Sequence, residues 1–168
     1  MNHTATTSLR THSALALSTF LARPPLDDMA VRVCSTVSDA GFVTLHNAFR
    51  ASGGLASGDE VAVRMNVAGV GGYARLARRI VGRQVFSFAW NGAFWLPLFQ
   101  FDTQNWSVRD GLRPVLSELL GVMDGWSIAV WFVQPNDELG GNSPLVLWET
   151  QPSAVFQAAR LQRYALTA

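Results

Sequence analysis

Apolar positions recur at two different periods along this chain, and the change of period marks out its elements. Residues 14–22 (ALALSTFLA) form an apolar run suited to a short helix, ended by Arg23-Pro24-Pro25. Asp27 and Asp28 open a second helical stretch to about Ser35. Ser38 or Asp39 is placed to cap a third, reaching about Ala51, in which Phe42, Leu45, His46 and Phe49 fall at helical spacing; Gly53 and Gly54 stop it. Ser57 followed three residues later by Glu60 is a capping box and predicts a helix to about Met65 or Asn66. A glycine-rich turn over 68–72 leads into a further helix over 73–81. Two short helices about a tight glycine turn make a helix-turn-helix pattern. The period then falls to two in residues 85–90 (VFSFAW) and 93–96 (AFWL), with Asn91-Gly92 between them, which predicts a β-hairpin.

Downstream, the pattern is helical again. Residues 97–102 lead out of the hairpin, and the polar stretch 105–110 reads as a loop. A short helix is expected over 114–120, closed by Gly121. Asp124 caps another that carries Trp126, Ile128, Ala129, Trp131 and Phe132. Residues 134–142 (QPNDELGGN) break that helix, Ser143-Pro144 starts a new turn that would expose Leu145 and Leu147, and Pro152 starts a last helix with Val155, Phe156, Ala159 and Leu161. The expected fold class is mainly α with one β-hairpin. Its N-terminal half would be a winged helix built on the helix-turn-helix, and its C-terminal half a small helical domain. The divisions are a flexible arm with a short helix over 1–25, a helical, winged-helix-like domain over 26–102 with its hairpin at 85–96, and a second helical domain over 103–168.

Composition narrows the function classes. Apolar residues make up 49% and charged residues 15%, too apolar for a disordered chain. Six Trp and ten Phe are more than a chain of this length can bury deeply, so some belong to an interface. The net charge of +1 gives no global polybasic signal, although all thirteen basic residues are Arg. Five of them, Arg64, Arg75, Arg78, Arg79 and Arg83, crowd into the helix-turn-helix region, and Arg75, Arg78 and Arg79 share one helix face. They are the candidate DNA-binding residues, placed where a recognition helix meets phosphates and guanine edges. No apolar run reaches the roughly 18 residues of a membrane span, and the run at 14–22 lacks a clear cleavage site, so a cytoplasmic protein is expected.

Candidate chemistry is sparse. Cys34, the single cysteine, cannot form an intrachain disulfide or a Cys-rich zinc site, and His3, His12 and His46 have no metal-ligand spacing. Cys34 with His46 is the only Cys/His candidate for catalysis, and both lie on apolar helical segments. The acidic pairs Asp27-Asp28 and Asp137-Glu138 come with no phosphate loop or nucleophile. No enzyme, catalytic residue, metal or cofactor is expected. The hairpin aromatics Phe86, Phe88, Trp90, Phe94 and Trp95 read as core joining the two halves rather than as a stacking platform, since no array of polar partners accompanies them.

Residues 126–147 (WSIAVWFVQPNDELGGNSPLVL) carry the most specific pattern. A Trp-rich helix closes at Trp131, Pro135 and Asn136 supply a turn, Leu139 and Gly141 a loop, and Pro144, Leu145 and Leu147 the next helix. This resembles the C-terminal toxin-binding domain of the Xre/MbcA/ParS antitoxin family, and the likeness runs over about 86–163, including the lead-in at 98–102 and a final helix over 151–163. The resemblance implies an antitoxin that neutralises a RES-domain, NAD-consuming toxin by covering its active site. It also implies larger homo- or hetero-oligomers and, in many members, repression of the operon through operator DNA. Its toxin-binding residues here would be Trp131, Pro135, Asn136, Asp137, Glu138, Leu139, Gly141, Pro144, Leu145, Trp148 and Glu149. Asp137, Glu138 and Glu149 would pair with a basic toxin pocket, and Trp131 and Trp148 would anchor the contact. The first eighty residues depart from a standard Xre-type DNA-binding domain. The competing reading is a stand-alone DNA-binding transcriptional regulator with a dimerising C-terminal domain.

Overall fold

A computed structural model describes residues 38–66 and 71–168. The expected helices at 14–22 and 27–35, the arm over 1–25, Cys34 and most of the glycine turn lie outside the described residues. The described chain is mainly helical, with a small three-stranded antiparallel sheet.

Helix α1 (Asp39–Phe49) starts at Ser38, whose hydroxyl accepts from the Gly41 N–H at 3.1 Å, and ends in a 3-10 turn, Arg50–Ser52. Strand β1 (Leu55–Ser57) runs straight into α2 (Gly58–Arg64). The capping box is complete: the Glu60 N–H donates to Ser57 Oγ, and the Ser57 N–H donates to the Glu60 carboxylate at 2.8 Å. These Ser57 hydrogen bonds, backbone first, hold the Glu60 pKa below the ordinary glutamate value. The sign follows from linkage: the contribution is full above the unfolded pKa of about 4.3 and is lost as pH falls through the lower folded value. Ser57→Ala is expected to cost about 1 kcal/mol, and Glu60→Gln, which removes the carboxylate that both Ser57 bonds reach, to flatten the acid limb of a stability–pH profile measured by denaturant unfolding. An unchanged acid limb would separate Glu60 from the cap.

Helix α3 (Gly72–Val81) crosses close to α2. A methyl built on Gly72 would overlap the Ala62 carbonyl oxygen, so only glycine permits this approach. Strands β2 (Phe88–Trp90) and β3 (Ala93–Pro97) form the hairpin, with Asn91 and Gly92 both at positive φ, the signature of a tight primed turn. The sheet order is β1-β3-β2, with Leu55 opposite Pro97 and Phe88 opposite Trp95.

The third strand is a departure from the expected lone hairpin: β1 has three residues, too few to display a period, and it exists because β3 offers it a free edge. The first hairpin strand is also shorter than the expected 85–90. The Phe86 N–H donates to the buried Gln100 side chain at 2.8 Å, and the Gln100 amide donates to the carbonyls of Phe86 and Pro97, each at 3.0 Å. A side chain, not a strand, pairs that residue.

Helices α4 (Leu112–Leu119), α5 (Gly125–Val133), α6 (Pro144–Leu147) and α7 (Pro152–Thr167) follow. Asp124 caps α5 by accepting from Ser127 N–H at 2.7 Å. The larger buried cluster joins Phe42, Leu45 and Phe49 of α1 to Phe86, Leu116, Phe132 and Val155, and so crosses residue 102. The smaller cluster lies under α2, α3 and the sheet, around Val61, Met65, Leu76, Leu96 and Phe101. The hairpin aromatics are largely core, as expected: Phe86 stacks on Phe132 at 5.6 Å, Trp90 stacks on Phe42 at 3.7 Å, and Phe88 meets Trp126 edge-on. Phe94 is the exception and stands 64% exposed. Leu161 on α7 is likewise exposed rather than core. No helix among the described residues is long and apolar enough to cross a membrane.

Candidate functional site

The segment after α5 is a closed loop built from its own polar groups. The Asn136 N–H donates to the Asn142 carbonyl at 3.1 Å, and the Gly141 N–H donates to the Asn136 carbonyl at 3.0 Å. The Asn136 side-chain oxygen accepts from the Glu138 N–H, which caps the 3-10 turn Asp137–Leu139. Gly140 and Gly141 both sit at positive φ, where a side chain would be strained. Leu139 turns down into the core, and its neighbours Asp137 and Glu138 are exposed, as is Pro135. Pro144 is buried at the first position of α6.

The single turn of α6 corrects one expectation. Leu145 and Leu147 are half-buried against the larger cluster, and Val146 between them is 67% exposed. Successive helical positions lie about 100° apart, so a one-turn helix seated on α5 and α7 turns its middle residue outward. Trp131 and Trp148 lie inside the chain's own core: Trp131 packs edge-on to Phe132, and Trp148 packs edge-on to Phe99 at 6.3 Å.

Beside α6 an open groove of about 530 Å³ runs toward the end of α1. Leu98, Phe99 and Trp148, all buried, line its depth, and Ala48 and Val146, both exposed, line its mouth. Arg109 and Glu149 also line it and form an ion pair there. Arg109 is held in turn by the sheet exit, where its Nε donates to the Phe101 carbonyl at 3.2 Å and its backbone N–H to the Gln100 carbonyl at 2.9 Å. Sequence reasoning missed Arg109, because its partner is forty residues away and a lone arginine has no spacing to read. Leu145, Trp148 and Glu149 are thus brought together at the groove. Pro135, Asn136, Asp137, Glu138, Leu139 and Gly141 belong to the adjoining loop.

The arginine cluster occupies a different surface. Arg75 and Arg78 are exposed on α3, and Arg79 is half-buried. Arg75 Nη1 donates to the Met65 carbonyl, Arg78 Nε to the Ala74 carbonyl and Arg79 Nη1 to the Gln84 side chain. The Arg64 guanidinium sits 5.4 Å over the Trp106 ring, and Arg83 is exposed at positive φ just past the helix. None of the five forms an ion pair among the described residues, whose two salt bridges are Arg109–Glu149 and Arg163–Glu118. His46 is half-exposed beside Phe42, and no cluster of three or more potential metal ligands occurs among the described residues. No protein-family model, no curated protein and no solved structure matches this chain.

Proposed function

We propose that this chain is an antitoxin that binds a RES-type, NAD-consuming toxin and neutralises it by covering its active site. The observation that carries the reading is the closed loop at 136–142 with the α6 turn after it. The loop is hydrogen-bonded to itself and anchored by the buried Leu139, and it and the α6 turn leave Asp137, Glu138 and Val146 facing solvent. A segment so firmly built, yet with acids and an apolar side chain facing out, is suited to recognition and not to catalysis. No cofactor enters the reading.

Its finer fold is that of a winged helix over 39–97. The order α1-β1-α2-α3-β2-β3, the central β3 and the Asn91-Gly92 hairpin as wing support this. The same region favours operator binding as a second activity, whether of the antitoxin or of a stand-alone regulator. Residues 61–101 carry five arginines and no Asp or Glu.

Co-expression with the product of the adjacent gene, followed by affinity purification and growth measurement, tests the antitoxin reading. The expected result is a stable complex and growth only when this chain is present. A harmless neighbour that fails to co-purify overturns it. In the same preparations, Arg75→Glu with Arg78→Glu is expected to leave toxin binding unchanged and to abolish a salt-sensitive gel shift on the upstream DNA. Loss of toxin binding in that variant would place the toxin on the wrong surface.

A further inference from the structure

Helix α3 presents its arginines in two distinct ways. Its core side is Gly72 and Leu76, with Arg79 and Ile80 half-buried at the edges. Successive positions lie about 100° apart, so the stripe opposite that side is Ala74, Ala77, Arg78 and Val81, all of them exposed. Arg78 is the only charged residue on this stripe. Arg75 and Arg79 stand on one shoulder, between the stripe and the core. None of the three meets a carboxylate among the described residues.

The hydrogen bonds divide them in the same way. On the shoulder, Arg75 Nη1 donates to the Met65 carbonyl at 3.1 Å, and Arg79 Nη1 to the Gln84 side chain at 3.3 Å. Each guanidinium is held against the protein with one terminal nitrogen spent. Arg78 is tied only through Nε, to the Ala74 carbonyl one turn back at 3.1 Å. Its two terminal nitrogens make no hydrogen bond among the described residues, so the fork is complete where the helix projects furthest. A complete fork matches two acceptors on one planar edge, such as O6 and N7 of guanine in the major groove.

A carboxylate would also fit that fork, but the set-back of the other two arginines favours a duplex over an acidic protein face. A helix about 10–12 Å across fills a major groove about 12 Å wide. Its outer stripe then lies at the base edges and its shoulder lies beside a phosphate strand. Ala74 and Ala77 are too short to hold the helix away from the bases.

We infer that Arg78 reads a guanine of the bound DNA, whereas Arg75 and Arg79 hold the phosphate strand beside it. This rests on the operator-binding reading above and deepens it by dividing sequence selection from affinity.

The probe is a pool of random-sequence DNA duplexes, retained on the full chain and sequenced, with affinities then measured by fluorescence anisotropy across a salt series. The parent chain is expected to enrich a motif with one guanine preferred about tenfold over other bases. Arg78→Lys keeps the charge and loses the fork. It is expected to lose the preference at that guanine while binding the unselected pool as the parent does. Arg75→Ala is expected to keep the motif, to weaken all duplexes alike and to lower the salt slope by about one. If Arg78→Lys retains the guanine, if the parent binds without selecting one, or if Arg75→Ala changes the motif, the division is overturned and DNA binding stands. If the parent retains no duplex even at low salt, the operator reading falls and the division with it.

Discussion

Replacing Gln100 with leucine is expected to remove about 3 kcal/mol of stability, an outsized effect for one nearly isosteric change. Gln100 is the one buried polar side chain among the described residues, with no exposed surface, and three hydrogen bonds converge on its amide. Leucine fills the volume but strands the Phe86 N–H and the carbonyls of Phe86 and Pro97, and each buried orphan costs about 1–3 kcal/mol. The total is held to the lower end by partial relaxation. At this chain length, such a loss lowers Tm by roughly 10 °C. Gln100→Glu is expected to be worse still at neutral pH. Its carboxylate accepts from Phe86 N–H but faces two carbonyl oxygens with no proton to offer. Burial and those oxygens raise its pKa, so the deficit should shrink as pH falls and the protonated acid donates to one of them. Thermal unfolding of both variants from pH 4 to pH 8 checks this. A Glu variant insensitive to pH, or a Leu variant as stable as the parent, would show that water or a backbone shift takes over the amide's role.

Gly125→Ala is expected to destabilise by a similar amount, about 3 kcal/mol, by a different route. The first turn of α5 rests directly on the chain entering β2. A methyl at Gly125 would overlap the Ser87 carbonyl oxygen and stand 3.3 Å from Phe88 Cα, and both obstacles are backbone that cannot rotate away. The helix must lift, and its cap at Asp124 resists. Lifting opens the Phe88–Trp126 and Phe86–Phe132 contacts, which join the sheet side of the large cluster to its helical side. Gly121→Ala is the control. Its added methyl meets nothing within 4 Å, and its φ is not left-handed, so it is expected to be neutral or to stabilise by a few tenths of a kcal/mol. Denaturant unfolding of the pair reads the difference. Equal stability of the two variants would mean that α5 shifts without loss.

What could be read in the sequence was whatever is decided within about four residues. The Ser57–Glu60 box, the Asp124 cap, the Asn91-Gly92 turn and the proline at the start of α6 are local, and each stands where the pattern placed it. What escaped depends on distant neighbours. Strand β1 is ordered by β3, some forty residues on. The hairpin's first strand is shortened by a glutamine beyond its second. Arg109 gains meaning only from Glu149. The candidate site divides in the same way. The turn chemistry of 135–144 was legible, whereas the facing of Leu145, Val146 and Leu147 was not, since four residues of helix carry no readable period. Trp131 and Trp148 illustrate a deeper ambiguity, because an aromatic suited to an interface is equally suited to a core, and composition cannot choose between them.

The two buried clusters are unequal, and this bears on time as well as on structure. Helix α3 commits only Leu76 fully to the smaller cluster, with Ile80 partly covered, while Tyr73 and Val81 lie open. Helices α4 and α5 each bury four residues in the larger one. Amide protons of α3 should therefore exchange with solvent through brief local openings. Those of α4 and α5 should wait for the whole domain to unfold. The arginine-bearing helix thus detaches and re-forms more often than α4 and α5, at little cost to the loop and groove it leaves behind.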